Sequence, residues 1–434
     1  MRVLILTIVA CVCIAGAGSA GELTLEQCLR KAAAMNRTLK LAAIDHEAAA
    51  EGVRIARSGY LPRIDLQGGY TAQLEPQSIK FGSGSFPTQD QTYPFFNLGI
   101  NQILYDFGRT GARVRRAALV ADAAALELSG RKQDIFLQVT EAYFAVLEQS
   151  RVLLALEEEV TQRREHSRVA QNLFEQGVVT RNDLLQAEVR LADSTQRKLD
   201  AANRVETAWL KLNFLMCEEP GFRGELQELP EIGEVDLEEA TAERALSARP
   251  DIAALKRVAQ AGEAEVTEAR TAFFPEVYAR AGIDYVQNSR SQEQAIYSAT
   301  LGLRVNLFEG FAATARQQQA VLGRSHSNEI LRAEEERIRI DLEIAKNEVR
   351  VTAQRVRTLE QSIRQGEENL RINRDRYTEQ VGTATEVLDS QTLLTQVRTE
   401  YIRAKYAHQL ALARVKHALG QLAGPPSLRE IRSP

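Results

Sequence analysis

The residues best suited to catalysis are few and poorly placed for it. The five histidines are scattered without the spacing of metal ligands, at His46, His166, His326, His408 and His417. The sequence contains no phosphate-binding glycine loop and no nucleophile elbow. Ser129 and Lys132 match a Ser-x-x-Lys pattern, but they stand inside a helical run, where a chance match is the better explanation. We therefore expect no catalysis, no cofactor and no metal site.

The sequence contains an internal duplication. Phe174–Leu185 returns as Tyr377–Leu388, and Leu104–Phe107 returns as Leu307–Gly310 at the same spacing. Because the repeat keeps its register, each copy is expected to form one structural half. The first half, the acidic linker and the second half are expected at 21–217, 218–236 and 237–423.

The first residues have the composition of a secretory signal peptide. A basic start and an apolar run precede Gly18-Ser19-Ala20, which predicts a signal peptide over 1–20 with cleavage after Ala20. A lipoprotein processing site at Cys11 fits less well, because it would leave a very short signal. At the other end of the chain, 424–434 is expected to be a flexible tail.

Charge and cysteine content narrow the class of protein. The formal net charge is -4, and basic residues alternate with acidic ones, so no nucleic-acid partner is expected. The mature chain keeps Cys28 and Cys217, too few for a disulfide-built scaffold. These two cysteines would either form a single clasp or stay unpaired.

Each half has the same predicted order of elements: a helix that ends before a proline, two strands, a long helix, a glycine turn and a closing helix. Alternation of apolar and polar residues predicts strands at about 63–75, 93–106, 276–287 and 295–309. Proline-free helical patterns predict long helices at 110–173 and 312–376, with tips at 174–183 and 377–386. The remaining helices are predicted at 23–58, 184–215, 237–271 and 387–422.

The four strand patterns are typical of strands in an outer-membrane barrel, with an ordinary half-buried sheet as the open alternative. Four strands cannot close a barrel, since about eight are needed, and an open sheet edge cannot face lipid. If these strands span a membrane, the chain must therefore oligomerise. The long helix 312–376 carries a heptad pattern interrupted by small and polar residues, which favours side-by-side packing in a wall.

In this order, the motifs resemble the TolC-type outer-membrane efflux protein family, or outer membrane factors, over essentially the whole mature chain. Three duplicated motifs carry the resemblance. They are Tyr60-Leu61-Pro62 with Phe274-Pro275, Leu104–Gly108 with Leu307–Gly310, and Gly177–Val179 with Val381–Thr383.

The resemblance implies a mixed α and β fold that is mostly α. A homotrimer would close a twelve-stranded outer-membrane β-barrel, four strands from each chain, continued by a long periplasmic α-helical coiled-coil tunnel. The implied location is the outer membrane of a Gram-negative bacterium, in contact with lipid and extending into the periplasm.

The implied function is that of a passive channel in a tripartite efflux pump or type I secretion system. Its partners would be a periplasmic adaptor, or membrane fusion protein, and an inner-membrane pump of RND, ABC or MFS type. A secreted or periplasmic coiled-coil scaffold without a pore is the alternative, but it leaves the four strand patterns unexplained.

The resemblance also assigns functions to residues at the tips. Acids at the periplasmic aperture fall on Asp183, Glu386 and Asp389, where three copies would favour cations and raise some carboxyl pKa values. Alternatively, these acids stabilise helix N-termini through the helix dipole. The expected adaptor-docking residues are Gly177, Val178, Val179, Val381, Gly382 and Thr383.

One feature of the family is missing from this sequence. Some members hold the aperture shut with a tyrosine and a basic residue at the second tip, and Glu379 and Ala384 occupy those positions here. That closing network therefore does not carry over, and Arg181 is a candidate substitute.

Overall fold

A computed structural model describes residues 23–228, 236–379 and 381–422. The expected signal peptide and the tail 424–434 lie outside the described residues, as does most of the linker's second half. Long helices dominate what is described, and the strands form one four-stranded sheet and one small hairpin.

Both repeats follow the predicted order of elements. The first repeat contains α1 Leu25–Met35, α2 Arg37–Arg57, β1 Arg63–Ala72, β2 Ser78–Phe81, β3 Gly84–Pro87, β4 Thr92–Tyr105, α3 Arg109–Glu175 and α4 Arg181–Met216. The second contains α5 Ala242–Ala248, α6 Pro250–Thr271, β5 Glu276–Val286, β6 Ala295–Arg304, α7 Ala312–Thr378 and α8 Ala384–Ala418. At 67 residues each, α3 and α7 are rods of about 100 Å.

The helix that precedes the strands is interrupted in both repeats. Asn36 separates α1 from α2, and its Oδ1 accepts a hydrogen bond of 2.9 Å from the Thr38 amide, which caps α2. Its Nδ2 donates to the carbonyl of Leu215 at 2.9 Å and so joins this break to the end of α4. In the second repeat, Pro250 stands at the first turn of α6, a position that tolerates proline because that amide needs no partner.

The helices form a layer in which shorter helices stack end to end along longer ones. α2 and α4 pack along α3, and α6 and α8 pack along α7. α3 also contacts α6 and α8, so the layer runs from α2 and α4 through α3, then α6 and α8, to α7. The first repeat therefore forms one edge of the layer and α7 forms the other.

The sheet has the strand order β1-β4-β5-β6, and all of its pairs are antiparallel. Its register aligns residues of like character across the strands. One row reads Ile64, Ile100, Ala281, Ala299, and the adjacent row reads Arg63, Asn101, Arg280, Thr300. Since neighbouring rows point to opposite faces, the sheet has one apolar and one polar face.

The stretch between the first two predicted strands, whose glycine- and serine-rich sequence indicates a loop, contains the β2–β3 hairpin. The loop after β5 holds the base of this hairpin. Asn288 Nδ2 donates to the Thr88 carbonyl at 2.9 Å, and Ser289 Oγ donates to Asp90 Oδ1 at 2.6 Å. The first repeat is thus fastened to the second at the end of the sheet away from the long helices.

Two apolar clusters lie at mid-height of the helical layer. One surrounds fully buried Tyr143 and includes Phe144 and Tyr406, whose rings are 6.1 Å apart and connect α3 to α8. The other contains Ile338 and Leu342, two positions of the heptad pattern of α7. Nearer the tips, Arg163 of α3 donates a hydrogen bond to Thr392 of α8.

Both cysteines are free, which settles the alternative left open by the sequence. Burial raises the pKa of the Cys28 thiol to about 12, so this thiol is unreactive at neutral pH. Across the described residues, no helix combines the length and apolar character needed to cross a membrane.

Candidate functional site

The first tip joins α3 to α4 through a glycine turn. The Gly177 amide donates to the Phe174 carbonyl and the Val178 amide donates to the Leu173 carbonyl, both at 2.9 Å. These bonds close the end of α3 with Gly177 in the left-handed region at φ 73°, where a side chain would be strained. Val178 follows with 66% of its surface exposed.

The second tip needs its glycine for a different reason. The amides of Val381 and Gly382 both donate to the Arg376 carbonyl, at 2.9 and 3.0 Å. A Cβ added to Gly382 would lie 3.2 Å from the carbonyl carbon of Arg376, so a larger residue would require this backbone to shift by a few tenths of an ångström. Val381 is 68% exposed.

The tips therefore present one exposed valine each beside a tight turn. Val179 is half-buried, whereas Thr383 is exposed and forms the N-cap of α8. Backbone geometry accounts for Gly177 and Gly382, but it does not account for exposed apolar side chains at Val178 and Val381.

Two of the three predicted acids are capping residues. Asp183 Oδ2 accepts hydrogen bonds from the Thr180 hydroxyl at 2.7 Å and the Thr180 amide at 3.0 Å. Glu386 Oε2 accepts from the Thr383 amide at 3.1 Å, while Thr383 Oγ1 accepts from the Glu386 amide at 3.3 Å. Both arrangements are capping boxes, which satisfy amides at the helix start.

Capping also changes the acidity of Asp183. The hydrogen bond from the Thr180 hydroxyl, with that from its amide, holds the pKa of this carboxyl below its usual range. Within one chain these hydrogen bonds stabilise the charged form of Asp183, and the upward pKa shift expected where three copies crowd carboxylates together stays a prediction.

Asp389, the third acid, lies one turn further along α8. Its side chain is 66% exposed, and its Oδ1 lies 3.6 Å from Arg190 Nη2 on α4. This ion pair connects the two repeats just above the tips. Sequence reasoning did not single out Arg190, since nothing in the local pattern links it to α8.

A buried polar cluster lies further from the tips, between α3, α4 and α8. Glu159 is only 3% exposed, and its Oε1 accepts from Arg163 Nε at 2.8 Å and from Arg197 Nη2 at 2.9 Å. Arg163 Nη2 also donates to Thr392 Oγ1 at 2.9 Å. The sequence analysis missed this cluster, although Glu159 and Arg163 have the i, i+4 spacing of a helical ion pair.

His166 stands beside the cluster and the Arg190 ion pair. Burial, together with the positive charges of Arg190 and Arg163, lowers its pKa below the ordinary histidine range. His166 is therefore neutral at pH values where an exposed histidine would already be charged.

Further from the tips, the helical layer contains a cavity lined by charged side chains. This cavity of about 690 Å³ lies where α8 ends and α6 begins, and charges in its lining pair with one another, as Arg249 does with Asp251. It is about 60 Å along α3 from the tips. No group of histidine, cysteine and acidic side chains in the described ranges is arranged to hold a metal ion.

Comparison with solved structures identifies the fold. The Campylobacter jejuni CmeC outer membrane channel superposes with a TM-score of 0.82 at 17% identity, covering 92% of this chain and 85% of that one. VceC from Vibrio cholerae gives 0.79 at 19% identity, covering 91% and 96%. These likenesses confirm the predicted class, a small sheet continued by long helices as in TolC-type channels.

Comparison of sequences identifies the family. A family model described as outer membrane efflux protein matches residues 28–218 and 241–421, one segment in each repeat. The alkaline protease secretion protein AprF of Pseudomonas aeruginosa is 26% identical over 291 residues, which are 64% of this chain and 59% of that protein. The chain thus aligns with about three-fifths of that curated relative's length. With both segments of the family model matched, and with the resemblance drawn from the duplicated motifs confirmed, the chain belongs to the outer membrane efflux protein family.

Proposed function

We propose that three copies of this chain form an outer-membrane channel that passively conducts substrates out of the periplasm. This proposal rests on one observation. In both the sheet and the helical layer, the first repeat supplies one edge and the second repeat supplies the other. β1 and α2 with α4, from the first repeat, form one edge, and β6 and α7, from the second, form the other. Within the described chain neither edge is covered.

Such edges fit a head-to-tail ring. The two edges carry different residues, so each copy would offer its β6 edge to the β1 edge of the next, a heterologous contact that closes when the rotation returns to the start. Three copies supply twelve strands, enough for a closed barrel with no edge facing lipid.

The apolar face of the sheet supports contact with lipid. Ile64, Leu66, Leu301 and Leu303 on the edge strands are 63%, 73%, 72% and 65% exposed. β1 has 10 residues and a length of about 33 Å, so a strand tilted by about 40° would cross about 25 Å, the height of an outer-membrane apolar band.

Aromatic residues mark both ends of this band. The end away from the helices carries Tyr70, Phe96, Tyr285 and Tyr297, and the end next to the helices carries Tyr105, Phe107, Phe274 and Phe308. Aromatic girdles at the two interfaces are a feature of outer-membrane barrels.

The polar face would line the lumen. Arg280 Nε donates to Asn101 Oδ1 at 2.7 Å, and Asn97 hydrogen-bonds to Asp284 across the same pair of strands. Because these side chains hydrogen-bond to one another across strands, we propose that they line a water-filled conduit and do not form a binding pocket. We infer that the choice of substrate belongs to the partner proteins and that their pump supplies the energy.

The tips support the docking of a periplasmic adaptor. Val178 and Val381 are exposed apolar residues held beside rigid turns, and they lie at the end of the molecule opposite the sheet. The relative AprF is named for the secretion of an alkaline protease, so we propose export with an adaptor and an inner-membrane pump of RND, ABC or MFS type.

We also propose that Asp183, Glu386 and Asp389 give the aperture a preference for cations. The support is their place at or just above the tips, where three copies would bring nine carboxyl groups around one axis. Capping and a pore function are compatible, since a capping carboxylate keeps its charge.

Reconstitution tests the whole proposal. Purified protein should form trimers in detergent that dissociate on heating, and it should produce cation-preferring current steps in planar lipid bilayers. A monomer extracted without detergent and giving no current would instead identify a periplasmic scaffold.

A further inference from the structure

The turn from strand to long helix occurs once in each repeat and carries a pair of aromatic residues both times. Tyr105 and Phe107 pack edge to face with ring centroids 4.8 Å apart, and Phe308 and Phe311 do so at 5.4 Å. The residues that precede α3 and α7, Gly108 and Phe311, are both left-handed, with φ of 90° and 66°. The two turns therefore follow similar backbone paths.

The two aromatic pairs differ in what covers them. Phe107 stacks on Phe274, the residue two positions before β5, with centroids 5.3 Å apart and an interplanar angle of 19°. This stack joins the first repeat to the second. Tyr105 and Phe107 are 57% and 41% exposed, whereas Phe308 and Phe311 are 73% and 75% exposed, a larger apolar area that a partner surface would cover.

The long helices also differ in side-chain exposure, at positions further from the sheet. Leu119 of α3 is 9% exposed, whereas Leu322, at the equivalent position of α7, is 60% exposed. α3 lies inside the helical layer with neighbours on both sides, and α7 lies at its edge. The second repeat thus exposes side chains whose counterparts the first repeat buries.

The duplication also indicates which residues would cover the second turn. Phe274-Pro275 before β5 corresponds to Leu61-Pro62 before β1. Leu61 and its neighbour Tyr60 are 66% and 55% exposed. They stand at the β1 edge of the sheet, opposite the β6 edge that carries Phe308, so they cannot reach it within one chain.

We propose that Tyr60 and Leu61 of a second copy of this chain cover Phe308 and Phe311. In this contact Leu61 takes the position that Phe274 has beside the first turn. Phe308 is the register equivalent of Tyr105, and Phe311 supplies the second ring, since Gly310 stands at the position of Phe107. The inference rests on the trimeric channel proposed above and adds the side chains that join neighbouring copies.

The strand register supports the same arrangement. Within the chain, Leu98 of β4 lies opposite Ile283 of β5. Transferred by the duplication, this pair predicts Leu301 of one copy opposite Tyr70 of the next. Both residues lie on the apolar face of their strands, and a shift of one residue would have placed them on opposite faces.

The ion pairs that join the two repeats within one chain have no equivalents between copies. Arg109 Nη1 lies 3.4 Å from Glu276 Oε2 within the chain, but the equivalent positions hold Ala312 and Arg63. The contact between copies therefore depends on apolar packing more than the contact between repeats does.

A disulfide trap tests the neighbouring positions. Tyr105 and Val277 are cross-strand partners within the chain, and their equivalents between copies are Phe308 and Ile64. In a Cys217→Ser background, oxidised trimers of Ile64→Cys/Phe308→Cys should run as covalent dimers and trimers on denaturing, non-reducing gels. The matched control Tyr105→Cys/Val277→Cys should lose its two introduced thiols and still run as a monomer. Cys28 stays in both variants because it is fully buried.

A second pair of variants tests the aromatic contact itself. Phe308→Ala/Phe311→Ala should lower the temperature at which the trimer dissociates in detergent. Phe81→Ala/Phe86→Ala, which removes phenylalanines that are 81% and 60% exposed on the β2–β3 hairpin, should leave this temperature unchanged.

Two results would overturn the inference and leave the channel intact. In the first, the control disulfide forms while Ile64→Cys/Phe308→Cys gives only monomers from conducting trimers. In the second, both double-alanine variants dissociate at the wild-type temperature. A wild-type protein that neither trimerises nor conducts would overturn the channel proposal and this inference together.

Discussion

Arg190 on α4 and Asp389 on α8 form an ion pair, with Nη2 3.6 Å from Oδ1, that connects the two repeats close to the tips. Asp389 was predicted as one of three aperture acids, and its charge is partly compensated within its own chain. Glu386, on the same helix, has no such pairing in its capping box, where its oxygen accepts a bond from the uncharged Thr383 amide. If the three acids lie at an aperture as proposed, they therefore contribute unequally to its electrostatic field.

Removal of Arg190 should increase cation preference. Arg190→Gln leaves the Asp389 carboxylate uncompensated, so the reversal potential in a salt gradient should shift further towards the cation value. Asp389→Asn and Glu386→Gln together should shift it the opposite way. Arg337→Gln, which removes an exposed guanidinium at mid-height of α7, serves as the control and should change nothing. Unchanged selectivity in the double variant would remove the aperture function of these acids.

Charged substitutions at the tips should abolish export and leave assembly intact. Val178→Asp and Val381→Asp each place a carboxylate where an exposed valine would contact the adaptor. The complex would then lose the burial of that apolar surface, and the new charge would have to be desolvated. Export in cells and trimer content in membranes are the two measurements. Val120→Asp, at a valine that is 47% exposed on α3 about 80 Å along that helix from the tip, tests whether any surface charge has this effect. Normal export with both tip variants would contradict adaptor docking there.

The buried cluster above the tips should be important for stability. Glu159→Gln leaves the guanidinium groups of Arg163 and Arg197 without their shared carboxylate, and loss of one partner from a buried ion pair costs about 3 kcal/mol. Thermal unfolding should therefore occur at a lower temperature than in the wild type. The neighbouring Glu158 is exposed, so Glu158→Gln should unfold like the wild type. Equal unfolding temperatures for the two variants would show that the cluster is dispensable.

His166 should make the tip end of the protein sensitive to acid. Its pKa is lowered in the folded chain by burial and by Arg190 and Arg163, whereas in the unfolded chain it takes up a proton near pH 6.5. Between those two pKa values the unfolded state binds more protons, so stability falls as the pH drops below about 6.5. His166→Gln should lose less stability than the wild type between about pH 7 and pH 5.

Limited proteolysis near the tips at both pH values measures this difference. His326→Gln, at an exposed histidine of α7 near the sheet end of the molecule, is the control. Identical acid sensitivity in the wild type and His166→Gln would contradict the prediction.

Much of the fold could be predicted because its signals are local. Alternation along β1 and β6 reports which side of a strand is apolar, and the Gly177 turn ends a helix whatever surrounds it. The β2–β3 hairpin was missed because its glycine- and serine-rich sequence is also that of a loop. Asn36 was missed as a helix break, since its effect depends on the Leu215 carbonyl, which lies far away along the chain.

The sequence by itself determined the duplication, the two long rods, the alternating strands and the positions of both tips, since each depends on residues within a few turns of one another. Only the tertiary structure decided that Arg190 meets Asp389, that Glu159 is buried between two arginines, and that Phe107 stacks on Phe274 of the other repeat. Contacts of this kind depend on which helices and strands become neighbours. The packing of the whole layer determines which elements become neighbours, and the sequence of a single element does not show it.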